Sequence, residues 1–186
     1  MKKALPIFSI GHSVHTKEEF IKMLHDAHID ILVDVRAFPA SKKHPHFKKE
    51  IMKDWLSGAG IDYQHFPLLG GRRPKSPYVQ DELNGAWENQ SFHNYADYTL
   101  TAQFREGIDA LQKLGTSKRV AYCCAERHPS RCHRLLISNW LAANGWYVQH
   151  IIDLKDDKVD IIEHEQGRWG AMPIIEKDGT VVYPKY

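Results

Sequence analysis

The feature that most constrains the fold is a short apolar strand that directly follows an amphipathic helix. The segment Ile29–Val35, of sequence IDILVDV, is β-branched and apolar almost throughout, which is typical of a strand buried on both faces. Before it, Thr16 and Glu19 have the spacing of a capping box, which predicts a helix that runs to about His28. Another strand pattern, Leu5–Ile10, precedes that helix. This strand–helix–strand unit predicts two parallel strands joined by a crossover helix.

The same alternation continues along the chain. Helical patterns cover residues 47–60, 95–115 and 131–145, and strand patterns cover residues 61–69, 118–125 and 146–154. Asp178 and Gly179, between β-branched flanks, predict a terminal hairpin. We therefore predict an α/β fold of three layers, with a largely parallel sheet, helices on both of its faces and a C-terminal β-hairpin. The length predicts a single domain over residues 1–186.

The net charge of the chain, its distribution and the hydropathy of the sequence limit the classes of function to consider. The formal net charge is +2, which is too small to predict nucleic-acid binding on its own. Residues 150–186 carry −3 and residues 1–149 carry +5, so a locally positive cleft is expected. The sequence has no apolar run of about 18 residues and no signal-peptide pattern, so no membrane contact is predicted. We expect a cytoplasmic protein whose three cysteines are reduced thiols.

Polar motifs follow four of the predicted strands at the point where each strand ends. In chain order they are Gly11, His12 and Ser13; Asp34 and Arg36; Gly71 and Arg72; and Cys124 and Glu126. Because ligands of parallel α/β folds bind beyond the carboxyl ends of the strands, we expect these residues to line one ligand site. Structural interpretations are also open: Asp34 and Arg36 can form an ion pair, and the glycines can serve turns.

All three cysteines lie in one stretch, CCAERHPSRCHR, residues 123–134. Cysteine pairs of structural zinc sites are commonly separated by roughly two to four residues. Seven residues separate Cys124 from Cys132, so no cofactor is predicted. A zinc site built from these two cysteines with His133 and His12 is kept as an alternative.

The position of this stretch between a strand and a helix favours a thiolate. A thiol beside a helix N-terminus and near Arg131 and Arg134 is expected to have a lowered pKa. Cys124 is predicted to face the site and Cys123 the core, because successive strand residues point to opposite sides. Six residues separate Cys124 from Arg131, and this spacing does not match a phosphatase-type anion loop. Cys132 can also be a small buried residue in the first turn of the helix.

Several motifs occur in a fixed order along the chain. They are Ile10–Ser13 (IGHS), Glu18–Phe20 (EEF), Asp34–Arg36 (DVR), Gly70–Arg73 (GGRR), Tyr95–Tyr98 (YADY) and the cysteine signature of Cys124–Arg134. With these motifs the chain resembles an uncharacterised bacterial family, domain of unknown function 488, over about residues 7–152. The resemblance adds Tyr95 to the candidate site, implies no agreed activity, and leaves residues 153–186 as a C-terminal extension.

A weaker likeness is to rhodanese domains. The shared features are the DVR strand, a strand that ends in cysteine, and a later strand that begins at Gly145 and Trp146. The loop after the cysteine is longer here and contains Glu126 and Pro129. The likeness implies a rhodanese-like topology.

Three functions are open at the level of sequence. The leading hypothesis is an enzyme or a binding protein for an anionic, phosphate-bearing ligand. As an enzyme, it would be a cysteine-dependent transferase or hydrolase. The residues assigned to it are Cys124 as nucleophile or thiolate, Cys132 as a further catalytic candidate, Glu126 and His133 as acid–base groups, and Arg36, Arg72 and Arg134 as the anion clamp. The alternatives are a nucleic-acid-binding or repair accessory protein that uses the basic loops 36–53 and 71–75, and a metal-binding module.

Overall fold

The architecture is that of a computed structural model, which describes residues 4–185. Its strands are β1 (Pro6–Gly11), β2 (Ile31–Asp34), β3 (Asp62–His65), β4 (Val120–Cys124), β5 (Tyr147–Lys155), β6 (Lys158–Glu163), β7 (Ile174–Ile175) and β8 (Val181–Val182). Its helices are α1 (Lys17–Asp26), α2 (Lys49–Gly58), α3 (Gln90–Tyr98), α4 (Ala102–Gly115) and α5 (Arg134–Ala143). Met1–Lys3 and Tyr186, the ends of the predicted domain, lie outside the described residues.

The main sheet has six strands in the order β3-β2-β4-β1-β5-β6. Strands β1 to β5 pair in parallel, and β6 pairs antiparallel with β5 at one edge. Strands β7 and β8 form a separate antiparallel hairpin near the C-terminus. The predicted α/β fold, with its largely parallel sheet and C-terminal hairpin, is confirmed.

Helices cover both faces of the sheet, so the core has two halves. One half contains the inward side chains of α1 and α2, such as Phe20 and Leu56. The other contains those of α3, α4 and α5, such as Tyr95, Ile108 and Leu136. Every residue of β2 and of β4 is buried, as expected for central strands covered on both sides. Within residues 4–185, no helix is long and apolar enough to cross a bilayer.

The helix boundaries follow from local capping. The predicted capping box is present, since Thr16 accepts from the Glu19 amide and the Glu19 carboxylate accepts from the Thr16 amide. The single helix predicted over residues 95–115 is wrong, because the chain breaks between α3 and α4. There the Thr101 hydroxyl accepts from the Phe104 amide and donates to the Tyr98 carbonyl. A threonine that bonds to the backbone in this way favours a new helix start over continuation.

Two strand predictions also need correction. The pattern over residues 61–69 is a strand only over Asp62–His65, because Pro67 begins a 3-10 turn and cannot donate to a sheet ladder. Strand β6 was not predicted; its four central residues are all half-exposed and only its two end residues are exposed, so no buried–exposed alternation marks it. At the start of α5, Cys132 and His133 precede the helix instead of forming its first turn.

This topology determines where a ligand site can lie. Strand β4 sits between β2 and β1, so the carboxyl ends of all three are adjacent. The helix that follows β4 lies on the opposite face from the helices that follow β1 and β2. Such a change of side opens a crevice at the carboxyl ends of the strands, where ligands of parallel α/β proteins bind.

Candidate active site

A cavity of about 490 Å³ opens at this edge of the sheet. Nine of the sequence-predicted site residues line it: His12, Arg36, Gly71, Arg72, Tyr95, Cys124, Glu126, Cys132 and His133. The volume lies in the range of about 300–1,000 Å³ that is typical of small-molecule pockets.

Four predicted site residues do not line the cavity, and each has a structural role beside it. A side chain at Gly11 would meet the Glu126 carbonyl oxygen at 1.6 Å, so only glycine allows the chain after β4 to pass. The Ser13 amide donates to the Ala125 carbonyl at 2.9 Å. Asp34 is fully buried and pairs with Arg36. The fourth, Arg134, lies beneath the cavity floor.

Two thiols form that floor. Cys124 is the last residue of β4 and is 3% exposed. Cys132 follows the 3-10 turn Pro129–Arg131 and is partly exposed. Their Sγ atoms are 2.9 Å apart, close enough for one thiol to donate to the other. The third cysteine, Cys123, is fully buried in the core half formed by α1 and α2, as the strand alternation predicts.

Arg134 lies directly behind the two sulfurs and is fully buried. Its Nε is 3.0 Å from the Sγ of Cys124 and 3.3 Å from the Sγ of Cys132. Its Nη1 donates to the Ser9 hydroxyl at 3.0 Å, and its Nη2 donates to the Glu126 carbonyl. No carboxylate among residues 4–185 forms a salt bridge with it. A buried guanidinium is costly unless an anion pairs with it, and the two sulfurs are the ionisable groups in hydrogen-bond contact with Arg134.

The surroundings shift the pKa values of the two thiols in opposite directions. Burial opposes charge on Cys132, but the hydrogen bond from the Cys124 thiol and the positive charge of Arg134 outweigh it and lower the pKa of Cys132 to about 6. Burial and the hydrogen bond to Cys132 raise the pKa of Cys124 well above its usual value. These opposite shifts favour Cys124 as the thiol that donates the hydrogen bond and Cys132 as the sulfur that accepts it. The choice of Cys124 as the preferred nucleophile stays a prediction, and Cys132 is the second candidate, with the more exposed sulfur.

The two histidines of the cavity are neutral. Burial lowers the pKa of His133 to about 4, and its Nε2–H donates to the Val35 carbonyl at 2.7 Å. Burial also lowers the pKa of His12 to about 4, and its Nδ1–H donates to the Ser13 carbonyl at 3.0 Å. The remaining nitrogen of each ring, Nδ1 of His133 and Nε2 of His12, is an acceptor. Neither ring is charged at neutral pH, so either can accept a proton but neither is ready to donate one.

Arg36 is held mainly by structural contacts. Its Nε and Nη2 donate to the Asp34 carboxylate at 2.9 and 2.7 Å, and Nη2 also donates to the Phe47 carbonyl. The structure therefore contains the ion pair between Asp34 and Arg36 that was one of the interpretations of the sequence. Only Nη1 points elsewhere, 3.4 Å from Nε2 of His12. Arg36 presents one N–H edge toward the cavity instead of a free bidentate fork.

Further residues that line the cavity were not predicted. They are Ala37, Phe38, Ala40, Ser41, Asn89, Ser91, Phe92, Ala125 and Arg131. Arg131 was visible in the cysteine stretch, and its place before a helix was a usable signal. Phe38 lies in the loop after β2 and Phe92 lies in α3, and no spacing in the sequence connects them.

Tyr95 contributes by packing. It is 1% exposed, and its hydroxyl donates to the Leu69 carbonyl at 2.7 Å. Its ring lies 5.0 Å from the ring of His133. Gly71 faces the same histidine, and a Cβ on Gly71 would lie 2.9 Å from His133 Nδ1. Both residues therefore pack against the His133 ring.

A chain of hydrogen bonds continues behind Arg134. The Ser9 hydroxyl lies 2.5 Å from Nδ1 of His150, whose Nε2 is 2.9 Å from Nδ1 of His164. Nε2 of His164 is 2.8 Å from Oδ1 of Asn139, an atom that can only accept. Both histidine pKa values are lowered by burial, that of His164 to about 4. Each group therefore donates to the next, from Arg134 through Ser9, His150 and His164 to Asn139. This series of hydrogen bonds was not evident from the sequence.

The residues of the floor do not fit a bound metal ion. Within residues 4–185, no group of three or more histidine, cysteine or acidic side chains has an arrangement that could hold one. The Arg134 guanidinium occupies the polar side of both sulfurs, and a cation there would face that positive charge. The zinc alternative therefore lacks a suitable set of ligands.

Comparison with known proteins gives one match. The family model described as "Domain of unknown function DUF488" matches residues 16–141, which is more than half of the chain. No curated protein and no solved structure matches. The likeness to rhodanese domains stays a prediction.

Proposed function

Because the chain belongs to the DUF488 family, a domain of unknown function, we propose its activity from the site itself: a cysteine-dependent enzyme in which the Cys132 thiolate attacks an anionic substrate. The observation that carries the proposal is the buried guanidinium of Arg134, 3.3 Å from the Cys132 sulfur and without a carboxylate partner among residues 4–185. A thiolate, and not a thiol, is the nucleophile of cysteine enzymes. Arg134 supplies the reason for that thiolate to exist at neutral pH.

The charges around the cavity support an anionic substrate. Arg36, Arg72 and Arg131 line it, whereas Glu126 is the one acidic residue that does so within residues 4–185. Arg72 and Arg131 are exposed, and neither forms a salt bridge within the described part of the chain. Guanidinium groups bind phosphates and carboxylates through paired N–H donors. The predicted anion clamp is accordingly reassigned to Arg72 and Arg131, with the single free edge of Arg36, and Arg134 is assigned to the thiolate.

The remaining groups suit proton transfer around that nucleophile. The Sγ of Cys124 lies 2.9 Å from the Sγ of Cys132. Cys124 keeps its proton and can release it when the Cys132 thiolate forms a bond to the substrate. His12 and His133 are neutral and can accept a proton. The exposed carboxylate of Glu126 is the acid–base candidate in contact with solvent. In this arrangement an electrophilic atom of the substrate binds at Cys132, and its charged group binds at the arginines.

Alkylation with two reagents of different charge tests the proposal. Iodoacetate is an anion and iodoacetamide is neutral, and both label thiolates. At about pH 7 we expect Cys132 to be the labelled residue, and we expect the ratio of iodoacetate to iodoacetamide rates to exceed that of N-acetylcysteine. The variants Arg72→Gln and Arg131→Gln should lower the ratio, and added salt should lower it as well. Peptide mapping identifies the labelled residue.

The matched control is Cys123→Ala, which removes a cysteine on the opposite face of β4. It should leave the labelling of Cys132 unchanged. The nucleophile assignment fails if Cys132 reacts no faster than N-acetylcysteine. The anionic-substrate assignment fails if the ratio of rates is the same in the arginine variants as in the original protein.

A further inference from the structure

We propose that Cys132 and Cys124 form a two-cysteine redox centre that reduces hydroperoxides and is regenerated by a small thiol carrying a carboxylate. The proposal rests on the proposed function in one respect, because it uses the same Cys132 nucleophile. It adds the atom attacked, a peroxide oxygen, and it assigns the cationic cavity to the thiol that restores the pair.

The geometry of the pair carries the first step of the inference. The two sulfurs are 2.9 Å apart, and a disulfide bond is about 2.0 Å long, so bond formation requires an approach of only about 1 Å. Cys124 ends a rigid central strand, whereas Cys132 lies in the loop that leads to α5. The loop residue can make that approach without disturbing the sheet.

The two thiols differ in access and in protonation, as an attacking and a resolving cysteine must. Cys132 is partly exposed in the cavity and has a lowered pKa, which are the properties of a thiol that reacts first with peroxide. Cys124 is 3% exposed and keeps its proton, so it is protected from direct oxidation and is held beside the sulfur that it would resolve.

The oxidation balances in two steps. The Cys132 thiolate attacks the terminal oxygen of ROOH, the O–O bond breaks, and the departing RO⁻ takes the proton of Cys124. This gives Cys132–SOH, ROH and the Cys124 thiolate. The Cys124 thiolate then attacks the sulfur of Cys132–SOH, and the hydroxide leaves with a proton from solvent as water. The products are one disulfide, one ROH and one H₂O, and the peroxide has accepted two electrons.

Arg134 explains why the disulfide is then readily reduced. In the disulfide neither sulfur is charged, so the buried guanidinium retains only neutral acceptors: the Ser9 hydroxyl and the carbonyls of Glu126 and Arg127. The thiolate form is stabilised by Arg134 and the disulfide form is not. A disulfide whose reduced, dithiol form is stabilised in this way is a strong oxidant of other thiols. Two molecules of thiol, R′SH, restore the pair and leave as R′SSR′, with the first attack at the accessible sulfur of Cys132.

The cavity favours an anionic thiol for that step. A peroxide group needs only a small space beside the sulfur, whereas about 490 Å³ accommodates a larger molecule. The exposed guanidinium groups of Arg72 and Arg131, which line the same cavity, are suited to bind the carboxylates of such a thiol.

Stoichiometric oxidation tests the dithiol. Reduced protein is treated with one equivalent of hydrogen peroxide, the free thiols are blocked, and the peptides are mapped. We expect a disulfide between Cys124 and Cys132. Cys123 should be recovered with the blocking group attached, because it was a free thiol before blocking. In Cys124→Ala, dimedone should trap the sulfenic acid on Cys132. The proposal is overturned if the original protein leaves Cys132 reduced, or oxidises it further without a bond to Cys124. Rapid labelling of Cys132 by iodoacetate together with that result would leave the proposed function standing and remove only the redox centre.

Reductants of opposite charge test the second assignment. Reduction of the disulfide by glutathione, which carries carboxylates, is compared with reduction by cysteamine, which is cationic. At low ionic strength, and after normalising each thiol to its rate with a free small-molecule disulfide, we expect glutathione to be favoured by about tenfold. The variants Arg72→Glu and Arg131→Glu should reverse the preference. Equal normalised rates in the original protein would overturn the assignment of the cavity to an anionic thiol.

Discussion

At the scale of single residues, Arg36 and Arg134 both lie in polar motifs of the sequence but have different partners in the structure. Arg36 pairs with the Asp34 carboxylate, and Arg134 pairs with the sulfurs of Cys124 and Cys132. Both were predicted to clamp a bound anion. Arg134 cannot do so, because it is the first residue of α5 and its side chain points inward beneath the cavity floor. Spacing in a sequence shows that an arginine is near a cysteine, but it does not show which side of the helix packs on the sheet.

The choice between Cys124 and Cys132 as the nucleophile also depends on packing that the sequence does not show. The sequence favoured Cys124 because Cys123 and Cys124 point to opposite sides of the strand and Cys123 lies deeper in the apolar run; in the structure Cys124 packs in the other half of the core and also lines the cavity. The relative pKa values of Cys124 and Cys132 depend on which of them donates the hydrogen bond and on how each is buried. Those quantities follow from tertiary packing, so residue patterns could not supply them.

At the scale of elements, the end of β1 and the loop after β4 are fitted against each other. The His12 amide donates to the Cys124 carbonyl, and the Ser13 amide donates to the Ala125 carbonyl. A Cβ at Gly11 would lie 1.6 Å from the Glu126 carbonyl oxygen and 2.9 Å from Nη2 of Arg134. Gly11 was expected at the site from its position at a strand end, but its role is to let the loop approach.

The substitution Gly11→Ala tests this contact. It should lower the free energy of unfolding by about 3 kcal/mol, because the added methyl group meets backbone that cannot move aside. It should also slow the alkylation of Cys132, because the displaced Glu126 carbonyl is an acceptor for Arg134. Urea unfolding and the labelling rate are the two measurements.

The matched control is Gly58→Ala at the end of α2, where an added Cβ meets nothing within 4 Å. This variant should be stabilised by about 0.5–1 kcal/mol, as is usual when alanine replaces glycine in a helix. Equal unfolding midpoints for the two variants would show that the strand end and the loop are not in tight contact.

Elements with a strong pattern were predictable, and those decided by local bonding were not. The helix α1 and the strand β2 follow from a capping box and a β-branched run. The break between α3 and α4 depends on one threonine that competes with the helix for backbone groups. Strand β6 depends on pairing with β5 across a turn whose residues Asp156 and Asp157 both have positive φ.

At the scale of the whole molecule, the parallel sheet explains why the scattered motifs converge. The ends of β1, β2 and β4 are adjacent, so motifs more than a hundred residues apart in the chain share one cavity. This convergence was predictable from the fold class alone. The hydrogen-bond chain through Ser9, His150 and His164 was not, because no motif distinguishes His150 in β5, or His164 just after β6, from ordinary residues of a strand and its end.

Buried neutral histidines predict how stability depends on pH. Burial lowers the pKa values of His12, His133 and His164 to about 4, and that of His150 well below its usual value. As the pH falls below about 6.5, the unfolded chain binds protons that the folded chain does not, so the free energy of unfolding decreases between about pH 6.5 and 4. Each histidine contributes a slope of up to about 1.4 kcal/mol per pH unit.

Urea unfolding at several pH values measures this loss. The midpoint should fall steeply below about pH 6.5, and less steeply in His164→Gln, after allowance for its lower starting stability. His28→Asn is the control, since His28 is exposed and has a positive φ that asparagine accommodates. A midpoint that is constant between about pH 7 and 5 would contradict the neutral state of these rings.

The pairing of Arg134 with the Cys132 thiolate is tested most directly by the pH dependence of Cys132 alkylation, followed by peptide mapping. In the original protein we expect the rate to rise with an inflection near pH 6, which is the lowered pKa of Cys132. In Arg134→Gln the inflection should move up toward about 8.5, the usual value of a cysteine thiol. An inflection near that usual value in the original protein would mean that Arg134 does not hold a thiolate at Cys132.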